Sequence, residues 1–195
     1  MDKTIEYYNN NSQDFFESTV NADMTEQYKM FEKYLPQGAR ILDLGCGSGR
    51  DSKYFLDKGY AVTAIDGSAE LCRLAREYSG LEVRQIFFED LDFENEFDGI
   101  WACASLLHVP QERLEVVLKK VIDALVPEGI LYISFKYGEY SGERNGRMFT
   151  DLDEERLEEL VGKTQGCEIV EMGRSEDARE DREDVWLNAV VRKMV

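Results

Sequence analysis

Apolar positions change period repeatedly along this chain, and each change marks an element. Over residues 2–35, Met24, Tyr28, Phe31 and Leu35 recur at three- and four-residue spacing. That spacing predicts helices, broken at Pro36-Gln37-Gly38. A short strand, Arg40–Leu44, then runs into glycines, and residues 48–58 read as a helix closed by Gly59. Residues 60–65 are almost continuously apolar, as expected of a strand covered on both faces. Ser68 is a good N-cap for a helix that reaches about Tyr78, before Gly80. Residues 81–88 and 97–104 read as strands, Pro110 opens a helix to about Leu125, 129–135 is a fifth strand and 151–161 another helix. Two further strand candidates, near 167–173 and 185–192, have no helix between them, which suggests a terminal antiparallel hairpin.

Strands alternating with helices predict a parallel sheet with helices on both faces. Right-handed crossovers make a doubly wound α/β sandwich the simplest topology, and ligands then bind at the carboxyl ends of the strands. At 195 residues the chain suits one domain spanning 1–195, with 1–35 as an N-terminal segment.

Composition narrows the partners. Forty acidic residues against 23 basic ones give a net charge of −17, which repels nucleic-acid phosphates and anionic lipid. A small-molecule partner is therefore favoured over nucleic acid or membrane. Cys46, Cys72, Cys103 and Cys167 form no CxxC pair and the chain has 1 histidine, so no metal site is expected. Met1-Asp2-Lys3 opens a polar segment rather than a secretory signal, and no apolar run reaches membrane length. Reduced thiols in a cytoplasmic setting are the expectation.

The chemistry concentrates in Asp43-x-Gly45-x-Gly47-x-Gly49, between the first strand and its helix. Glycines there allow a sharp turn and let a ligand touch the backbone. A dinucleotide turn, GxGxxG, would need glycine where Arg50 stands, and no GxxxxGK[ST] occurs. Asp66 follows the second strand, 17 residues after Gly49, where an acid can accept hydrogen bonds from both ribose hydroxyls. Taken alone it could equally cap a helix. After the third strand come Glu89 and Asp90, again either ligand-binding or merely solvated.

With these positions in place, the chain resembles the class I S-adenosylmethionine-dependent methyltransferases. It looks most like small bacterial proteins grouped with tellurite-resistance methyltransferases. The resemblance takes in the aromatic N-terminal segment, the glycine turn, residues 65–68, residues 101–108, Ser134-Phe135-Lys136-Tyr137-Gly138 and Gly146-Arg147-Met148-Phe149-Thr150. It implies a Rossmann-like seven-stranded sheet in the order 3-2-1-4-5-7-6 with strand 7 antiparallel, and an N-terminal helical lid. The cofactor implied is S-adenosylmethionine, leaving as S-adenosylhomocysteine. Its implied contacts are Tyr8, Asp43, Gly45, Cys46, Gly47, Gly49, Asp66, Gly67, Ser68, Asp90 and Leu91 at adenine, and Ser105. A monomer or weak homodimer is the expected assembly. Ala104-Ser105-Leu106-Leu107 departs from the Asn/Asp-Pro-Pro-aromatic motif of amino-methylating DNA enzymes, which points away from a nucleic-acid base as acceptor.

On the acceptor side, His108 falls just beyond the fourth strand. It is a candidate base or orienting donor, with helix-capping or a plain cofactor contact as the alternative. Lys136 and Arg147 are candidates to hold an anionic acceptor, or else salt-bridge partners of nearby acids. Tyr8 is the expected ligand contact of the N-terminal segment, while Phe15, Phe16, Trp101 and Trp186 are expected in packing. Cys46 is expected as a small residue fitting the turn rather than a nucleophile. A cofactor-binding protein without catalysis, a sensor or partner subunit, is the competing reading.

Overall fold

The computed structural model describes residues 3–179 and 182–195. Met1 and Asp2, the start of the polar segment, lie outside them. Short helices come first: α1 (Lys3–Asn10), α2 (Ser12–Thr19) and α3 (Thr25–Glu32). The alternating part follows as β1 (Arg40–Leu44), α4 (Arg50–Asp57), β2 (Ala61–Asp66), α5 (Ala69–Ser79), β3 (Val83–Gln85), β4 (Phe97–Ala102), α6 (Gln111–Ala124) and β5 (Leu125–Lys136). A two-stranded ribbon, β6 (Ser141–Arg144) and β7 (Arg147–Thr150), precedes α7 (Glu154–Lys163), β8 (Cys167–Glu176) and β9 (Val185–Lys193).

Seven strands pair in the order β3-β2-β1-β4-β5-β9-β8. Strands β1 to β5 are parallel, and β9 is antiparallel to both β5 and β8. With β8 and β9 as sixth and seventh strands this is the expected Rossmann-like order. Alternation along each strand buries both faces. Leu42, Ile100, Leu131 and Val191 pack toward α6 and α7, while Ile41, Trp101, Tyr132 and Val190 pack with Tyr28 and Phe31 of α3 and Phe55 of α4.

Element boundaries differ from expectation where local geometry intervenes. Only Val83–Gln85 pairs with β2, because the chain tightens into a 3₁₀ turn at Phe88–Asp90. Strand β5 begins at Leu125 rather than Gly129, directly from the end of α6. Helix α7 begins at Glu154, where the Asp153 carboxylate accepts the Arg156 N–H. The β6–β7 ribbon was not expected. It turns on Asn145-Gly146, with φ of 50° and 77°, the left-handed pair that a two-residue hairpin requires.

Candidate functional site

The glycine turn crosses from β1 to α4, its glycines at φ of 80°, 54° and 79°. Little room surrounds it. A Cβ on Gly45 would come 2.6 Å from the Ser105 Cβ, and one on Gly49 would meet Ala75 at 3.0 Å. The Gly45 and Cys46 amides donate to the Ile65 carbonyl, which ties the turn to the end of β2. Asp43, at the end of β1, is buried and accepts the Ser52 hydroxyl at 2.5 Å. Burial and the nearby Asp51 charge push its carboxyl up to about 8. It supports the turn from inside.

Two cavities open at the carboxyl ends of the strands and share the wall formed by Tyr8, Phe15, Gly45, Gly47, Ala104 and His108. The narrower lies over β2 and β3. Asp66 stands in its wall, its carboxylate accepting the Gly47 N–H at 2.9 Å and the Ser68 N–H at 2.8 Å. Burial raises the Asp66 carboxyl, and these amides pull it partly back. A carboxylate has about four lone-pair sites, so roughly two remain for a ligand. Leu71, Ile86, Phe87 and Phe88 form an apolar slot beside it, and the Ser105 Oγ is buried there without a hydrogen-bond partner.

The other sequence-derived cofactor candidates divide. Gly67 lines the narrow cavity and Cys46 the wider one. Ser68 is fully buried as the α5 N-cap, and its hydroxyl donates to Asn9 of α1. Gly49 caps α4 against α5. Asp90 is exposed and Leu91 is buried in the core, while Glu89 lines the narrow cavity and pairs with Arg113.

The wider cavity, about 400 Å³, lies over β4, β5 and β9. Ala104, at φ 50°, leaves β4 in the left-handed region, its N–H held by the Ser134 hydroxyl at 2.8 Å. Its strained turn sends the chain into the 3₁₀ turn ending at His108. The His108 Nδ1 lies 2.7 Å from the Met148 carbonyl and the Nε2 lies 2.8 Å from the Tyr8 hydroxyl. A carbonyl only accepts, so Nδ1 carries the proton and, in the neutral ring, Nε2 accepts from Tyr8. Burial raises the Tyr8 phenol, and Arg147 works against that rise. Tyr8 therefore keeps its proton at neutral pH.

Lys136 is in an ion pair with Asp184 at 2.6 Å, and Asp177 is bound by Arg179 and by the Trp186 indole N–H. Trp186 is half-buried and lines the cavity, which packing alone did not predict. Phe15 packs edge-on against Tyr8 and also meets Gly47 and stands in the wall of both cavities, whereas Phe16 packs edge-on against Tyr78. The thiols are poor nucleophiles. Burial raises Cys46 and pushes Cys103, which also lines the cavity, up to about 12.

A buried network missed from the sequence anchors the N-terminal helices α2 and α3. Asp51, in the first turn of α4, accepts from Tyr28 Oη, Trp101 Nε1 and the Arg50 guanidinium at 2.5–2.9 Å. Burial alone would raise its carboxyl, but Arg50 and the other donors hold it below the usual range. Arg50 also donates to the Thr19 carbonyl, tying the end of α2 to the glycine turn. The signal was present as a carboxylate four residues after Gly47, followed by an apolar helix face.

Among the described residues, no His/Cys/Asp/Glu cluster could hold a metal ion and no helix is long and apolar enough to cross a membrane.

The fold is the Rossmann-like methyltransferase fold, with the glycine turn, Asp66 and both cavities along its ligand edge. Residues 41–129 match the family model described as a methyltransferase domain. The chain is 34% identical over 138 residues to YqeM of Bacillus subtilis, a protein named as a methyltransferase, covering 65% of this chain and 55% of that one. It is 38% identical over 106 residues to the ubiquinone biosynthesis O-methyltransferase of Xanthomonas axonopodis pv. citri, covering 51% and 44%. It thus spans about half the length of the curated relatives it matches. Among solved structures, the Burkholderia thailandensis 1,6-didemethyltoxoflavin-N1-methyltransferase, with its acceptor and S-adenosylhomocysteine bound, superposes with a TM-score of 0.78 at 24% identity, covering 97% of this chain and 85% of that one.

Proposed function

We propose that this chain is an S-adenosylmethionine-dependent methyltransferase acting on a small-molecule acceptor. The observation that carries the reading is Asp66, a buried carboxylate with unused acceptor capacity. It stands beside an apolar slot and faces a cavity joined, through Tyr8 and His108, to a second one. These residues fit the cofactor: Asp66 would hold the ribose hydroxyls, Ile86 to Phe88 the purine, and Gly45, Cys46 and Gly47 the remainder. When bound, the cofactor supplies an electrophilic sulfonium methyl.

The chain's own part is to exclude water, hold the acceptor in line and accept a proton where the acceptor brings one. Tyr8 and His108 are arranged for that transfer. An acceptor O–H, N–H or S–H at the Tyr8 oxygen can give it a proton while Tyr8 passes its own to Nε2. The resulting imidazolium is stabilised by the Met148 carbonyl. The free thiols suit work in the reducing cytoplasm, and a monomer or weak homodimer is the state to check by size-exclusion chromatography.

A coupled S-adenosylhomocysteine assay over thiols, amines, small carboxylates, selenite and tellurite tests the reading. The resemblance to proteins grouped with tellurite resistance justifies the last pair. Turnover with a panel member is expected. Calorimetric binding of S-adenosylmethionine without turnover of any acceptor would favour the sensor reading, and absence of binding would end both.

A further inference from the structure

The wider cavity holds several cations in a chain of net charge −17, and most are already answered by carboxylates. Arg50 pairs with Asp51, Lys136 with Asp184 and Arg179 with Asp177, each at 2.6–2.7 Å. Arg144, next to it on the ribbon, pairs with Asp151. Arg147 differs. Among the described residues no carboxylate lies within 4.0 Å of its guanidinium, and its Nε is buried without a hydrogen-bond partner. One long contact, 3.4 Å from Nη1 to the Tyr8 hydroxyl, engages an edge that carries five N–H donors in all.

The side chain is nevertheless fixed. Its guanidinium lies over the Tyr7 ring at 4.4 Å, with Phe149 at 5.0 Å and Tyr8 at 5.7 Å. Stacking occupies the faces of the planar group and leaves the donor edge for a ligand. Partial burial without an anion is costly for a cation, and a bound anion removes that cost. The contact with Tyr8 places such an anion next to the His108 side of the cavity, away from Asp66 and the apolar slot.

We infer that Arg147 is the specificity determinant of the acceptor site, and that the acceptor is a small organic carboxylate held by its guanidinium edge. This rests on the methyltransferase reading and adds the class of acceptor to it. The aromatic surround, Tyr7, Phe149 and Trp186, suits an apolar remainder on the same molecule.

Calorimetry on the full chain saturated with S-adenosylhomocysteine tests it without knowing the natural acceptor. The probes are matched pairs: acetate and acetamide, benzoate and benzamide, phenylacetate and phenylacetamide. At least one carboxylate should bind ~10-fold or more tightly than its amide. Arg147→Gln should erase that preference and Arg147→Lys should keep part of it, because Lys retains the charge but not the planar edge. Affinity for S-adenosylhomocysteine should stay within about twofold in both variants, with unchanged melting showing that each is folded. No preference for any carboxylate in the wild type, or a preference surviving in Arg147→Gln, overturns the assignment. So does a ~10-fold loss of S-adenosylhomocysteine affinity in Arg147→Gln, which would give the guanidinium to the cofactor. If the wild type binds no S-adenosylhomocysteine at all, the methyltransferase reading itself fails.

Discussion

The two cavities meet at Tyr8 and His108, yet they are built in different ways. The narrow one is mostly backbone and hydrocarbon around a single carboxylate whose acceptor sites are half spent on the chain's own amides. The wider one is crowded with ion pairs and aromatic rings, and its charged groups come from α4, the end of β5, the β6–β7 ribbon and the segment between β8 and β9. Burial sets the difference. A carboxylate fixed by amides can receive hydroxyls with little reorganisation, so the narrow side suits one constant ligand. Ion pairs such as Lys136–Asp184 instead let a cavity tolerate charges while one unanswered group, Arg147, selects among ligands. Tyr8 of α1 and Phe15 of α2 belong to both walls, so the placement of these two helices shapes both cavities at once.

Breaking the junction should give the largest effect. If His108 receives a proton from Tyr8 as proposed, His108→Gln should slow turnover of a protonated acceptor by ~10²-fold or more. Affinity for S-adenosylhomocysteine should hardly move, since Asp66 and the slot are untouched. Single-turnover rates with an acceptor identified in the coupled assay, beside calorimetry, measure both. A rate unchanged by the substitution would leave His108 with a purely structural role.

The glycine turn serves both walls, so its loss should not discriminate between them. Gly45 sits at φ 80°, and an added Cβ would lie 2.6 Å from the Ser105 Cβ. Left-handed strain and the clash together should cost ~2–4 kcal/mol in Gly45→Ala. Urea denaturation should show a lower midpoint, and ligands of both cavities should weaken together. A variant as stable as the wild type would mean the turn relaxes and the close approach to Ser105 is dispensable.

Asp66→Ala should separate the two sides. It removes acceptors for a ribose along with the brace to Gly47, and should weaken S-adenosylhomocysteine binding by ~1–3 kcal/mol. The carboxylate-over-amide preference at Arg147 should persist at ligand concentrations that still saturate the variant. An unchanged dissociation constant would remove Asp66 from the ribose site.

The same contrast explains what the sequence made legible. The narrow side is assembled from strand ends read in order: Gly45 to Gly49 after β1, Asp66 after β2, residues 86–89 after β3. Each is a local pattern with a local cause, so spacing pointed to these strand ends, while the sheet order came from the resemblance. The exception was Asp90, exposed because the 3₁₀ turn at 88–90 presents Glu89 to the cavity and sends Leu91 into the core. The wider side depends on approaches across a hundred residues or more, such as Tyr8 to His108 and to Arg147. No periodicity encodes those. Part of it was nevertheless readable: Asn145-Gly146 between polar and apolar residues is a hairpin signal, and it is this ribbon that delivers Arg147 and the Met148 carbonyl. The Asp51 network escaped because a single acid in a helix looks like surface until Tyr28 and Trp101 are folded onto it.

The smallest expected effect tests whether the ion pairs of the wider cavity stabilise the fold. Burial alone would raise Asp177, but Arg179 and Trp186 bring it down to about 2. The folded value lies below that of an unfolded chain, near 3.9, so the contribution is present above that pH and is lost as pH falls through about 2. A depression of that size corresponds to ~2.6 kcal/mol, and water at the cavity mouth should screen this to ~1 kcal/mol. Asp177→Asn should therefore lower stability at pH 7 by about that amount, with the gap from the wild type closing as the pH is taken toward 2. Urea midpoints across that range measure it. A gap that stays constant with pH would mean that Asp177 contributes through packing and its hydrogen bond to Trp186, and that the charge it shares with Arg179 adds nothing to the fold.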